Sequence, residues 1–215
     1  LIQEQLKLFQ DCKAPCIVFA EVSDSIAGDP NRPLSTRPQM ENEEWTNFSK
    51  KISEIGKYLE DQDMPLAYHH HMGTVIETQK DTERLLESTS EHVKLILDTG
   101  HMLFARGDSI KIYNNFKDRI IHIHCKDMRK KTLDKSLDED LSFRNAFLNG
   151  AFTVPGDGII DYKPFFDVLK KNNYSGWLVV EAEQDPGKAN PLEYAKIGFK
   201  YLTKICEESN LKIIE

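Results

Sequence analysis

Six of the seven histidines in the chain fall at or just past the ends of short apolar runs: His69, His70, His71, His101, His122 and His124. Carboxylates end such runs too, as Glu21, Asp98 and Glu181. A lone histidine so placed is an ordinary buried or surface imidazole. Six of them beside carboxylates at the same level point to a divalent metal site. A mixed carboxylate–imidazole set suits Mn²⁺, Co²⁺, Mg²⁺ or Zn²⁺. An ion of this kind binds neighbouring oxygens of a sugar, polarises a carbonyl and stabilises the enediolate left when a proton leaves the adjacent carbon. Loss of a β-hydroxyl from there is a dehydration; reprotonation elsewhere is an isomerisation or epimerisation. The site chemistry alone does not choose between them.

Lys126 and His101 are the leading acid and base. A lysine close to a dication has its pKa lowered and can serve as base near neutral pH; otherwise it holds substrate oxygens or pairs with Asp127. His101, three residues after Asp98, is placed to protonate a departing hydroxyl or to support the metal.

Five runs must position these groups: Pro15–Glu21, Pro65–His71, Val93–Asp98, Ile120–Cys125 and Trp177–Ala182. Each is continuously apolar rather than alternating, as expected of parallel strands covered on both faces. Helical spacing follows between them. Trp45, Phe48, Ile52, Ile55 and Leu59 recur at steps of three and four within Glu43–Asp61, with Asn42 as the expected cap. Tyr194, Ile197, Tyr201 and Ile205 make a similar stripe near the end. With no low-complexity linker, the chain reads as one α/β domain over residues 1–215. A doubly wound sheet and a (β/α) TIM-type barrel share this signature. A barrel gathers residues from several strand ends around one centre, and no GxGxxG follows the first run, which favours the barrel.

A complete barrel has eight strand–helix units, roughly 250 residues. Five are visible, and the chain opens on LIQEQLKLFQDC, which reads as the middle of a helix. The expectation is a barrel lacking its N-terminal units, the five runs being strands four to eight.

Composition excludes other classes. A net charge of −7 and a pI of about 5.6, with no basic stripe, argue against nucleic acid. No apolar run approaches the roughly 18 residues of a membrane span, and no signal peptide is visible. Cys12, Cys16, Cys125 and Cys206 read as free thiols of a reducing, cytoplasmic compartment.

LDTGH at Leu97–His101 and HIHCKD at His122–Asp127 resemble the xylose-isomerase-like barrel superfamily. Four longer segments narrow the likeness: FAEVSDSIAGD (Phe19–Asp29), YHHHMGTVIET (Tyr68–Thr78), GAFTVPGDGIIDY (Gly150–Tyr162) and GWLVVEAEQDP (Gly176–Pro186). Together they resemble the inosose dehydratases of inositol catabolism over nearly the whole chain. That resemblance implies removal of water from 2-keto-myo-inositol to give a trihydroxycyclohexane-dione, with Mn²⁺ or Co²⁺ as cofactor. It also implies ligands of the order Glu, Asp, His, Glu from successive strand ends, which gives Asp98, His124 and Glu181 here. The remaining ligand is assigned to Glu77, with His69 or His71 as substitute, because the strand end itself carries Tyr68–His71. Glu181 is preferred to Glu183 as nearer the end of its run, and His124 to His122 by family position.

Glu21, His69, His71 and Asp157 are expected to contact substrate. Met128–Gly150, with Arg144, reads as a lid or substrate wall, and Trp177 as part of the barrel wall. A homo-oligomer is compatible with all of this. Two other readings stand beside dehydration: a sugar isomerase or epimerase using Glu77 and Glu181 as an acid–base pair, and an incomplete, non-catalytic barrel module.

Overall fold

The computed structural model describes residues 2–214. Each apolar run supplies a strand: β1 (Ile17–Phe19), β2 (Leu66–His69), β3 (Val93–Asp98), β4 (Ile120–Cys125) and, later in the chain, β7 (Trp177–Val180). They form one sheet in the order β1-β2-β3-β4-β7, every pairing parallel. A two-stranded antiparallel ribbon, β5 (Asp127–Met128) with β6 (Phe152–Thr153), interrupts the repeat. The sheet is an open arc whose edges, β1 and β7, do not pair with each other.

Helices connect the strands: α1 (Ile2–Asp11), α2 (Asn42–Glu60), α3 (Gln79–Ser88), α4 (Thr99–Phe104), α5 (Ser109–Phe116), α6 (Lys130–Asp138), α7 (Phe143–Leu148), α8 (Tyr162–Lys171) and α9 (Pro191–Glu208). The apolar stripe of α2 works as its spacing predicts, burying Trp45, Ile52 and Leu59 against Leu66 and Val93. Its cap is Glu41 rather than Asn42. Glu41 accepts the amide of the third helical residue while Glu44 accepts the Glu41 amide at 2.8 Å, a capping box shifted by one residue. Asn42 instead accepts from Arg84 at 2.9 Å.

The central strands are buried on both faces. Leu95, Ile96 and Leu97 of β3 are fully inaccessible, which is why their run is continuously apolar. Leu95, Leu97 and Ile123 pack beneath α5, α8 and α9 with Ile112, Phe165, Phe166 and Leu202. The edges differ. Trp177 was expected in the wall but is 60% exposed, because it opens an edge strand that no neighbour covers among the described residues. The terminal stripe is also partly corrected: α9 buries Gly198, Leu202, Ile205 and Cys206, while Ile197 faces outward. The true buried face is rotated toward Gly198, where a Cβ would meet Val180 at 2.5 Å. All four cysteines are unbonded, with only Cys12 exposed.

Leu95 lies at the centre of this packing. Leu95→Ala is expected to destabilise the fold by about 2–5 kcal/mol, read as a lowered denaturant midpoint. A change within experimental error would mean that the arc's core is not the load on which the helices rest.

Candidate metal centre

Parallel pairing sets the strand ends level. Asp98 is in register with His124, and His124 with Val179, two residues before Glu181. The backbone at Asp98 is held from two sides: its amide donates to His70 Nε2 at 3.1 Å, and its Oδ1 accepts the His101 amide at 2.8 Å as the N-cap of α4. His70 thus has a task that its sequence position did not disclose. Buried completely, it is pushed down to about 3 by burial and stays a neutral acceptor.

The other carboxylate oxygen of Asp98 collects the site. Asp98 Oδ2 lies 3.4 Å from His69 Nε2, 3.5 Å from His124 Nδ1 and 3.3 Å from Lys126 Nζ. His124 Nδ1 in turn lies 2.7 Å from Glu181 Oε2. That short contact lacks hydrogen-bond alignment, and both atoms are buried without a hydrogen-bond partner. Asp98, His124 and Glu181 present one donor atom each within 4.8 Å of one another.

Glu183 gathers a second set. Its Oε1 lies 3.4 Å from His71 Nε2, and its Oε2 lies 3.2 Å from His101 Nε2 and 2.9 Å from Lys126 Nζ. Lys126, with no exposed surface, joins the two sets, reaching Glu181 at 3.3 Å and His101 Nε2 at 3.0 Å. Donation from the ammonium to that nitrogen requires the imidazole proton on Nδ1. The 3.4 Å approach of the Met72 amide to Nδ1 and the 3.2 Å approach of Nε2 to Glu183 belong to the other tautomer, in which Nε2 donates to the carboxylate. The lysine main chain is fixed by Thr99, whose hydroxyl accepts its amide at 3.1 Å and donates to its carbonyl at 2.7 Å. Tyr162 donates to that carbonyl at 3.0 Å. The stem runs against Gly100, where a Cβ would meet Lys126 Cγ at 2.6 Å.

Charge follows from these contacts. Burial opposes the Asp98 carboxylate, but Lys126, His101, His124 and His69 hold it well below the usual range. Burial also opposes the Lys126 ammonium, yet Asp98, Glu183 and Glu181 outweigh it and hold the group above the ordinary lysine range. Burial and the Lys126 charge keep His101 neutral, and burial does the same for His69 against the pull of Asp98. Burial would depress His124 as well, but its contacts with Asp98 and Glu181 push it up to about 9. Ionised carboxylates, two neutral imidazoles and an orphaned His124–Glu181 pair suit a divalent cation, which would replace the proton on His124.

Aromatic rings wall the second set. Phe143 of α7 lies 5.1 Å from the His71 ring and 5.8 Å from His101, while Phe152 lies 5.1 Å from His101 and from Lys126 Nζ. The Met128–Gly150 stretch therefore forms a wall, and Arg144 and Asn145 fasten it to the Gly28 and Pro30 carbonyls.

Asp98, His124, Glu181, Lys126, His101, His69 and His71 are thus brought together. Glu77, Glu21 and Asp157 are held elsewhere. Glu77 accepts the Gly73 amide at 2.6 Å and pairs with Arg37 at 3.4 Å, beside a cavity of about 250 Å³. His69, the substitute, stands against Asp98 in its place. The Glu21 carboxylate accepts the Ser23 amide at 2.8 Å. Asp157 accepts from Arg129 at 2.7 Å and Thr153 at 2.6 Å, pinning the Pro-Gly turn. Glu183, set aside in favour of Glu181 in the sequence, has a place of its own beside Lys126. Its spacing of two from Glu181 puts both on one face only if the strand continues, and β7 ends at Val180, before either residue.

A family model described as xylose isomerase-like TIM barrel matches residues 1–205. The rhizopine catabolism protein MocC of Rhizobium meliloti is 40% identical over 212 residues, covering 99% of this chain and 65% of that protein. An inosose dehydratase of Mesomycoplasma hyopneumoniae is 44% identical over 218 residues, covering 95% of this chain and 72% of that protein. One from Clostridium tetani is 42% identical over 194 residues, with coverages of 89% and 65%. The chain therefore spans about two thirds of the length of these relatives. Among solved structures, the IOLI protein with a bound zinc atom aligns with a TM-score of 0.66 at 18% identity, covering 97% of this chain and 69% of that one. The probable 3-DHS dehydratase AsbF of Bacillus anthracis aligns with a TM-score of 0.70 at 17% identity, with coverages of 94% and 68%. Likeness at that identity speaks for the fold alone.

Glu77 gives a pH test independent of the metal. Burial pushes it up to about 7 from an ordinary 4.5, against the Gly73 amide and Arg37. Between those values the folded protein holds a proton that the unfolded chain has released. Stability is therefore greatest on the acid side and falls as pH rises through that window, by about 3 kcal/mol. Glu77→Gln is expected to flatten the fall, measured as denaturant midpoints of both proteins at about pH 5 and about pH 7. Equal slopes in the two proteins would mean that Glu77 is ionised throughout.

Proposed function

The chain belongs to the xylose isomerase-like TIM barrel family, and from that premise we propose that it is a metal-dependent hydro-lyase acting on 2-keto-myo-inositol. The single observation that carries this reading is the orphaned pair His124 Nδ1 and Glu181 Oε2, facing each other at 2.7 Å beside Asp98. The names of the similar proteins supply the substrate and the loss of water. In this reading the five parallel strands are strands four to eight of a barrel, and the protein works in the cytoplasm.

Asp98, His124, Glu181 and His69 would hold the ion, with Mn²⁺ or Co²⁺ as the favoured metals. When bound, it would polarise the ketone and acidify the neighbouring C–H. The chain's own groups do the rest. His101, neutral, accepts the proton from carbon at Nε2 as the Lys126 ammonium turns from that nitrogen to the departing hydroxyl. Lys126, held as an ammonium, gives its proton to the departing hydroxyl, which leaves as water. The 3.0 Å contact between Nζ and Nε2 then returns the proton from His101 to Lys126. The roles are the reverse of those expected when a lysine is lowered by a nearby dication; the three carboxylates around Lys126 are the reason. Phe143 and Phe152 keep water from the pair. Of the expected substrate contacts Glu21, His71 and Asp157, His71 is the one retained here, supported by its approach to Glu183.

An ultraviolet assay of chelator-treated protein with 2-keto-myo-inositol tests the reading. Added Mn²⁺ or Co²⁺ is expected to restore formation of the dione chromophore, and Asp98→Ala and His124→Ala to abolish it. Lys126→Met is expected to lower kcat by about 10²–10⁴-fold. Metal binding without turnover would remove the dehydration and leave the centre standing.

A further inference from the structure

Lys126 stands among three overlapping sets of metal-type donors, one of them His69, Asp98 and His101, and the other two flank it. On one side are Asp98, His124 and Glu181; on the other are His71, His101 and Glu183, whose donor atoms also lie within 4.8 Å of one another. The second set has the ligand types and the compactness of a divalent site, and the adjoining walls are the apolar rings of Phe143 and Phe152. Lys126 Nζ lies 3.0 Å from His101 Nε2 and 2.9 Å from Glu183 Oε2, two of its three donors. An ion on those atoms and the ammonium would compete for the same lone pairs. Charge points the same way. Asp98, Glu181 and Glu183 bring three negative charges around the lysine, which the ammonium reduces to two, and one divalent ion cancels these.

We propose that the Lys126 ammonium is a built-in second cation, which keeps this centre mononuclear by occupying a latent divalent-metal site formed by His71, His101 and Glu183. The inference rests on the metal reading above and deepens it. The ammonium cannot be lost to a chelator or exchanged for another ion. It therefore fixes charge and geometry on that side of the substrate cleft, while the metal side stays exchangeable. The Lys126 stem reaches this place because residue 100 is glycine.

Metal stoichiometry tests it, with Mn²⁺ titrated into the full chain and bound metal counted per chain. The native protein is expected to take one equivalent and no more. Lys126→Met, neutral and of similar length, is expected to take two, with the exchange-broadened electron paramagnetic resonance of neighbouring Mn²⁺ ions. Lys126→Met combined with Glu183→Gln is expected to return to one, and Lys126→Arg to stay at one. Lys126→Gln replaces Lys126→Met if the latter does not melt cooperatively. One equivalent in a folded Lys126→Met or Lys126→Gln protein, or two in the native protein, overturns the inference while leaving the metal centre intact. No bound metal in the native protein overturns the metal reading itself, and this inference with it.

Discussion

The metal side of the site is referred to one carboxylate. Asp98 ends β3 and begins α4, so its side chain must satisfy a helix terminus and a reactive centre together. It does so by dividing its oxygens: Oδ1 caps the helix through the His101 amide, and Oδ2 faces His69, His124 and Lys126. A fully buried carboxylate is costly unless every lone pair has a partner. The partners demanded by that cost are the groups that carry the chemistry. Burial therefore does not merely tolerate the site; it dictates what must surround Asp98.

The surrounding shell shows the same economy. His70 points away from its neighbours His69 and His71 to anchor the Asp98 amide. Thr99, next in sequence, ties β3 to β4 through both polar groups of the Lys126 main chain. Asp127, next after Lys126, accepts the Met128 amide at 2.7 Å and the Ile160 amide at 2.9 Å, securing the turn that ends at α8. Consecutive residues thus face opposite duties, one toward the cleft and one toward the scaffold.

Much of this was legible in the residues. The five apolar runs became five parallel strands in chain order, and in the central β2 and β3 burial on both faces leaves no room for polar alternation. Asp98, His124 and Glu181 meet because parallel register keeps strand ends level. What escaped depended on loops, where spacing gives no direction. Glu77 is eight residues beyond His69, and the intervening turn carries it to Arg37. Glu183, past the end of β7, swings toward Lys126 and not back along the sheet. The α2 cap shifted by one residue because Glu41 and Glu44 form a reciprocal pair that Asn42 cannot match.

Gly100 gives the site a genetic signature. With a Cβ at position 100 placed 2.6 Å from the lysine stem, a full-length lysine at 126 and any larger residue at 100 exclude each other. The two positions are coupled sterically through the Lys126 stem. A side chain at 100 is accommodated only where the residue at 126 is shortened, so of the two changes the one at 126 must come first if the packing is to survive both.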